Sequence, residues 1–207
     1  LYLIIVVLLI SCAGDTVKDP TGSIYGVITD KATGEPIRSA GVQLNPIGIK
    51  TVTGNEGQYE FVELNAGEYS IEVTKTGYVN LENYIINVGG GKTNKGDVQI
   101  EKLPPSLRIT NNDKQDISEL NFGDADADIT RSFNIFNDGP EPLEWEISTN
   151  CEWITKVSKE EGTLKAGATQ AIVITINREL LSGGENTTTI HVTSNNGSKQ
   201  LTIKGIG

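Results

Sequence analysis

Leu143-Glu144-Trp145-Glu146-Ile147 sets an apolar side chain at every second position with a carboxylate between each pair. Successive side chains of a β-strand leave opposite faces of the sheet. The run therefore predicts a strand with Leu143, Trp145 and Ile147 turned inward and Glu144 and Glu146 turned to water. The same period of two extends outward in both directions. Toward the C-terminus it groups Ile172, Ile174 and Ile176, then Ile190 with Val192 and Leu201 with Ile203. Upstream it groups Leu107 with Ile109, Leu120 with Phe122, and Phe133 with Ile135.

Further upstream, Ile24, Gly26 and Ile28 share one face, as do Val42 and Leu44, Tyr59 and Phe61, and Tyr69, Ile71 and Val73. Tyr84, Ile86 and Val88, and then Val98 and Ile100, complete about seven strands, enough for a small Greek-key sandwich. Thr33-Gly34-Glu35-Pro36, Gly54-Asn55-Glu56-Gly57 and Asn65-Ala66-Gly67 supply the positive-φ residues of tight connections. No segment sustains helical periodicity. The chain breaks at Lys102-Leu103-Pro104-Pro105, where two prolines stiffen the join. The expected fold is all-β: two tandem β-sandwiches over residues 23–103 and 104–207, after an apolar leader.

The turn and core pieces of the first unit are specific. Gly26-Val27-Ile28-Thr29-Asp30, Thr33-Gly34-Glu35-Pro36-Ile37, Ala40-Gly41-Val42, Gly57-Gln58-Tyr59-Glu60-Phe61, Gly67-Glu68-Tyr69 and Gly77-Tyr78 follow one another in order. Together they closely resemble the carboxypeptidase regulatory-like domain, which implies a transthyretin-like sandwich that accompanies other domains as a spacer or docking module without doing chemistry. In the second unit, Leu120-Asn121-Phe122-Gly123, Phe133 to Gly139, Leu143-Glu144-Trp145, Trp153-Ile154, Gly162-Thr163-Leu164, Leu181-Ser182-Gly183 and Val192 to Asn195 are similar to a BACON domain. That resemblance implies an immunoglobulin-like sandwich of bacterial surface proteins, with carbohydrate or mucin as the expected contact.

Residues 1–11 form an apolar run that closes on Leu9-Ile10-Ser11-Cys12. The run carries no charge and is shorter than the ~20 residues of a membrane span. It resembles the lipobox of bacterial lipoproteins, which implies cleavage before Cys12, lipidation of that cysteine and a tether over residues 12–22. The chain starts at Leu, holds no methionine and lacks a basic leader, so its extreme N-terminus is expected to be missing. Two acyl chains on Cys12 would supply stable attachment. The expected address is the outer membrane, lipid-anchored, on its periplasmic face or at the cell surface.

With Cys12 taken by lipid, the one remaining cysteine, Cys151, has no disulfide partner and reads as a small, mostly buried residue. A net charge of −10 argues against nucleic acid or anionic lipid as a partner. Gly89-Gly90-Gly91-Lys92-Thr93 lacks a phosphate-loop glycine at position 86, which is Ile86, and no helix pattern follows. It reads as a hairpin turn, and no nucleotide is expected.

Several residues could make contacts. Trp153 is the candidate for stacking on a sugar, in a short strand beside Cys151 and Val157, whereas Trp145 alternates inward with the core. Asp124, Asp126 and Asp128 are candidate calcium ligands, although the loop lacks the glycine of a helix-loop-helix site and Ile135 stands where the bidentate glutamate belongs. His191 is the only histidine and sits mid-strand, pointing away from Ile190 and Val192, so zinc peptidase chemistry is excluded. Acid pairs such as Glu160 and Glu161 are not placed across a substrate by anything in the sequence. No catalytic residue and no cofactor is expected. The expected role is a non-catalytic, lipid-anchored spacer or glycan-contact adhesion module; the alternative is the N-terminal part of a larger surface enzyme, a carbohydrate-active enzyme or a peptidase, whose catalytic domain lies beyond Gly207.

Overall fold

The computed structural model describes residues 19–124 and 128–207; the leader, Cys12 and Asp126 lie outside the described residues. The fold is all-β, in two sandwich domains. The chain divides into one unit that runs to Thr74 and resumes over Asn80–Ile100, and another of Lys75–Val79 with Glu101–Gly207.

The first unit holds β1 (Gly22–Asp30), β2 (Gly41–Asn45), β3 (Ile49–Val52), β4 (Gln58–Leu64), β5 (Gly67–Thr74), β6 (Leu81–Val88), β7 (Thr93–Lys95) and β8 (Val98–Ile100). One sheet runs β3-β2-β5-β6; in the other, β1 lies between β4 and the short pair β7 and β8. β1 pairs in parallel with β7 through Ser23–Tyr25 and with β8 through Ile28–Asp30. Between these stretches the chain bulges at Gly96 and Asp97, where the Gly96 N–H reaches Tyr25 O at 2.8 Å and Asp97 Oδ1 accepts from Val27 N at 3.1 Å.

That bulge explains why Gly26 occupies an inward position between Ile24 and Ile28. A Cβ on Gly26 would collide with the Gly96 carbonyl oxygen, so only glycine lets the two backbones meet. Tyr59, opposite Gly26 on β4, donates its hydroxyl to Gly96 O at 2.5 Å and so closes the same corner. Ile24, Ile28, Leu44 and Ile71 are fully buried in this unit. Each such side chain contributes about 1.5–3 kcal/mol on burial. Tyr84 pairs with the buried Ile71, but it stands on the edge strand β6 and remains 37% exposed, short of the burial that its grouping with Ile86 and Val88 predicts.

The second unit holds β9 (Leu107–Thr110), β10 (Glu119–Asn121), β11 (Thr130–Asn137), β12 (Leu143–Ser148), β13 (Ile154–Val157), β14 (Glu161–Leu164), β15 (Thr169–Ile176), β16 (Glu185–Ser194) and β17 (Gly197–Ile206). A five-stranded sheet β10-β17-β16-β12-β14 faces a four-stranded sheet β13-β15-β11-β9. Phe122, Phe133, Ile135, Leu143, Ile172, Ile174, Ile190, Val192, Leu201 and Ile203 fill the space between them with no measurable exposure. Every apolar residue assigned inward in this half by its period of two is buried.

Two residues of β11, Asn134 and Phe136, are buried on the side that simple alternation turns outward, while Asn137 shares the inward side of Phe133 and Ile135. Phe136 points away from that core yet is buried, because Arg108 and Lys114 lie over its ring at 5.5 and 5.0 Å from the centroid. Asn137 is fully buried and fully bonded. Its Oδ1 accepts from Ser106 N at 3.2 Å and Gly139 N at 3.0 Å, while Nδ2 donates to Glu141 O at 2.7 Å and Leu164 O at 3.1 Å.

Candidate functional site

With the interior filled, contact with a partner falls to the outer faces of the sheets. On the five-stranded sheet, the outward residues of β12, β14 and β16 line an open groove of about 530 Å³. Glu144 pairs with Thr163, Glu146 stands directly opposite Glu161, and Thr193 and Asn195 close the far side. None of these three glutamates makes an ion pair among the described residues. Like charges placed opposite each other across two strands are mutually unfavourable, so the groove is a strip of negative potential furnished with hydroxyl and amide groups. Such a surface accepts hydrogen bonds from a polyhydroxylated or cationic ligand. Its neighbour on the same sheet, about 270 Å³, is lined by Ser148, Thr149, Asn150, Thr188, Thr189 and His191. His191 is exposed there, between Ser148 and Gln200 on the flanking strands.

Trp145 reaches the groove only at its margin, being 4% exposed and packed in the core. Its Nε1 is buried without a hydrogen-bond partner. Lys159 Nζ lies 5.9 Å from the ring centroid and also contacts Gln170 Oε1 at 3.4 Å. Trp153 stands not in a strand but in the turn before β13, because Ile154 N–H bonds back to Cys151 O at 3.2 Å. It is half-buried and packs on the core beside Cys151, which is itself half-buried. No exposed aromatic residue marks the groove, so a sequence reading guided by tryptophans misses it. The alternating glutamates Glu144, Glu146 and Glu161 are its signal, but the pairing of β12 with β14 is needed to bring them together.

Asp124 and Asp128 are exposed, and Asp128 Oδ2 lies 3.5 Å from Arg131 Nη1. Among the described residues no three metal-ligating side chains converge. The loop at Gly89–Thr93 joins strands of different sheets and is not a hairpin. Its amides turn inward, Lys92 N to Gly89 O at 3.2 Å and Gly91 N to Thr21 O at 3.1 Å. In the first unit, Gly41 forms the floor of a dent of about 240 Å³ between Val52 and Thr74 on its flanking strands. Among the described residues no helix is long and apolar enough to cross a membrane.

Residues 23–101 match the model of the carboxypeptidase regulatory-like domain. Residues 105–206 match that of the HYDIN/CFA65/VesB-like, Ig-like domain. No curated protein matches the chain. Among solved structures, the minor pilin of Streptococcus agalactiae is 18% identical with a TM-score of 0.36, over 42% of this chain, which spans 46% of that protein. The major pilin subunit of Bacillus cereus is 16% identical with a TM-score of 0.39, over 89% of this chain and 69% of its own. A candidate carbohydrate-binding protein of Bacteroides uniformis is 12% identical with a TM-score of 0.35, over 89% of this chain and 98% of its own. The chain carries a carboxypeptidase regulatory-like domain followed by an Ig-like domain.

Proposed function

We propose that this protein is a non-catalytic component of the bacterial envelope, anchored in the outer membrane by lipid on Cys12 and carrying its two sandwiches at the cell surface as a spacer with a glycan-contact face. The observation that carries this reading is the filled interior of the second sandwich beside the polar groove on its outer sheet. Binding there needs no movement of the core. Within the Ig-like class the second domain is read as BACON-like, on the motifs from Leu120 to Asn195. Glu144, Glu146 and Glu161 can accept hydroxyl hydrogens from a sugar, and Thr163, Thr193 and Asn195 can both donate and accept. Trp153, in the turn before β13 of the opposite sheet, is apart from this groove and would make a separate apolar contact.

The test is a glycan array probed with the mature chain, its Glu161→Gln variant and its Trp153→Ala variant. Binding to mucin-type or plant glycans that weakens in Glu161→Gln is the expected outcome. Absence of binding across the array would discard glycan contact and leave the spacer. Cys12→Ser is expected to move the protein from the membrane to the soluble fraction, and continued attachment would remove the anchor. Cleavage by protease added to intact cells checks surface display.

A further inference from the structure

The β16–β17 hairpin closes on the pair Ser194 and Gly197, with Asn195 and Asn196 as its two-residue loop. Gly197 adopts a φ of 96°, and Asn196 is exposed. The loop is tied to two segments. Asn195 exchanges hydrogen bonds with Glu144, its side chain accepting from the Glu144 N–H at 3.2 Å and its backbone N–H donating to the Glu144 carbonyl at 3.1 Å, and each asparagine side chain donates to a proline carbonyl. Asn195 Nδ2 donates to Pro142 O at 3.1 Å, and Asn196 Nδ2 donates to Pro105 O at 2.7 Å, where the chain leads into β9. Ser194 Oγ donates to Gly197 O at 2.8 Å and accepts from Asn196 N at 3.2 Å, which completes the turn.

Asn196-Gly197 is the only Asn-Gly step in the chain. A glycine after asparagine leaves its backbone nitrogen unshielded by any Cβ, and here the side of Gly197 where a Cβ would stand is open, with no atom within 4 Å. We propose that Asn196 is a site of spontaneous deamidation, and that the conversion unties the hairpin from Pro105.

The Gly197 amide nitrogen, losing its proton to solvent base, forms a bond to Asn196 Cγ. The Cγ–Nδ2 bond breaks, and ammonia leaves with the added protons. Water then opens the resulting five-membered imide at one carbonyl or the other, giving an aspartate or an isoaspartyl link at position 196. No oxidant or reductant is involved. Both products lose the Nδ2 donor, and in the aspartate a carboxylate oxygen faces the Pro105 carbonyl where an N–H had been. The isoaspartyl product also lengthens the turn by one backbone carbon and breaks the Ser194–Gly197 closure.

The test is to hold the intact chain in warm, mildly alkaline buffer beside a neutral control, and to follow each asparagine by peptide mapping with fragmentation that separates aspartate from isoaspartate. Asn196 is expected to gain one mass unit ahead of every other asparagine, Asn195 included, and several-fold faster in the alkaline sample. An intact Asn196 while another asparagine converts would overturn the assignment. Asn196→Asp, made directly, is expected to speed amide exchange several-fold in the hairpin loop. Unchanged exchange there would overturn the link to Pro105.

Discussion

Trp145 on β12 stands directly opposite Gly162 on β14, and the indole edge of Cζ2 and Cε2 fills the space that a side chain on Gly162 would need. The pairing lets the largest side chain of the core reach the rim of the sheet without displacing the edge strand. Lys159 covers the ring from the solvent side.

Gly162→Ala would set a Cβ 2.9 Å from Trp145 Cζ2 and 3.2 Å from Cε2. The indole is held by the core and has little room to give, so a loss of about 1–3 kcal/mol is expected in urea unfolding. Gly183→Ala, where a Cβ meets nothing within 4 Å, is the control and should stay within ~0.5 kcal/mol of the parent.

Asn137→Ala strips the shared anchor from Ser106, Gly139, Glu141 and Leu164. Two backbone donors and two acceptors lose their side-chain partner at once in a buried site, and each such group costs about 1–3 kcal/mol when left unmade. A total loss of about 3–5 kcal/mol is expected in denaturant unfolding, larger than for any exposed asparagine. Asn137→Asp should fall nearly as far, since a carboxylate cannot donate to Glu141 O and Leu164 O.

Burial pushes the Tyr59 phenol well above its ordinary range, with the nearby Tyr84 and Asp97 adding to the effect. The native state therefore holds this proton after an unfolded chain would release it. The stability tied to it is fully present below pH ~10, the ordinary tyrosine value, and is lost as pH rises beyond that. Tyr59→Phe is expected to flatten this alkaline limb of the stability profile. It should also cost about 1–2 kcal/mol at neutral pH, because Gly96 O loses its partner.

Asp97 behaves in the opposite sense. Its hydrogen bond from Lys95, at 2.7 Å, and that from Val27 N hold the carboxyl below the usual carboxylate range, against a smaller opposing effect of burial. Its contribution is present above pH ~4 and disappears as pH falls through the lowered value. Asp97→Asn should remove that acid dependence, seen as thermal midpoints that converge with the parent's at the acid end. The pair is exposed, so the effect at neutral pH should be small.

The sequence by itself determined the class of fold and the inward face of nearly every strand. A strand's period of two is local, and the residues from Leu143 to Ile147 declare it without reference to any partner. The same locality placed Trp145 in the core and His191 outside it. Only the tertiary structure decided what depends on which strands meet. The parallel pairings of β1 with β7 and β8 put Gly96 against Gly26 and under Tyr59. The pairing of β12 with β14 set Glu146 beside Glu161 and Trp145 beside Gly162. Burial of Phe136 on an outward face required Arg108 and Lys114 from elsewhere in the chain, and the four bonds of Asn137 required three separate segments to converge. Contacts between residues tens of positions apart are settled by packing and pairing, and those forces leave no period in the sequence to read.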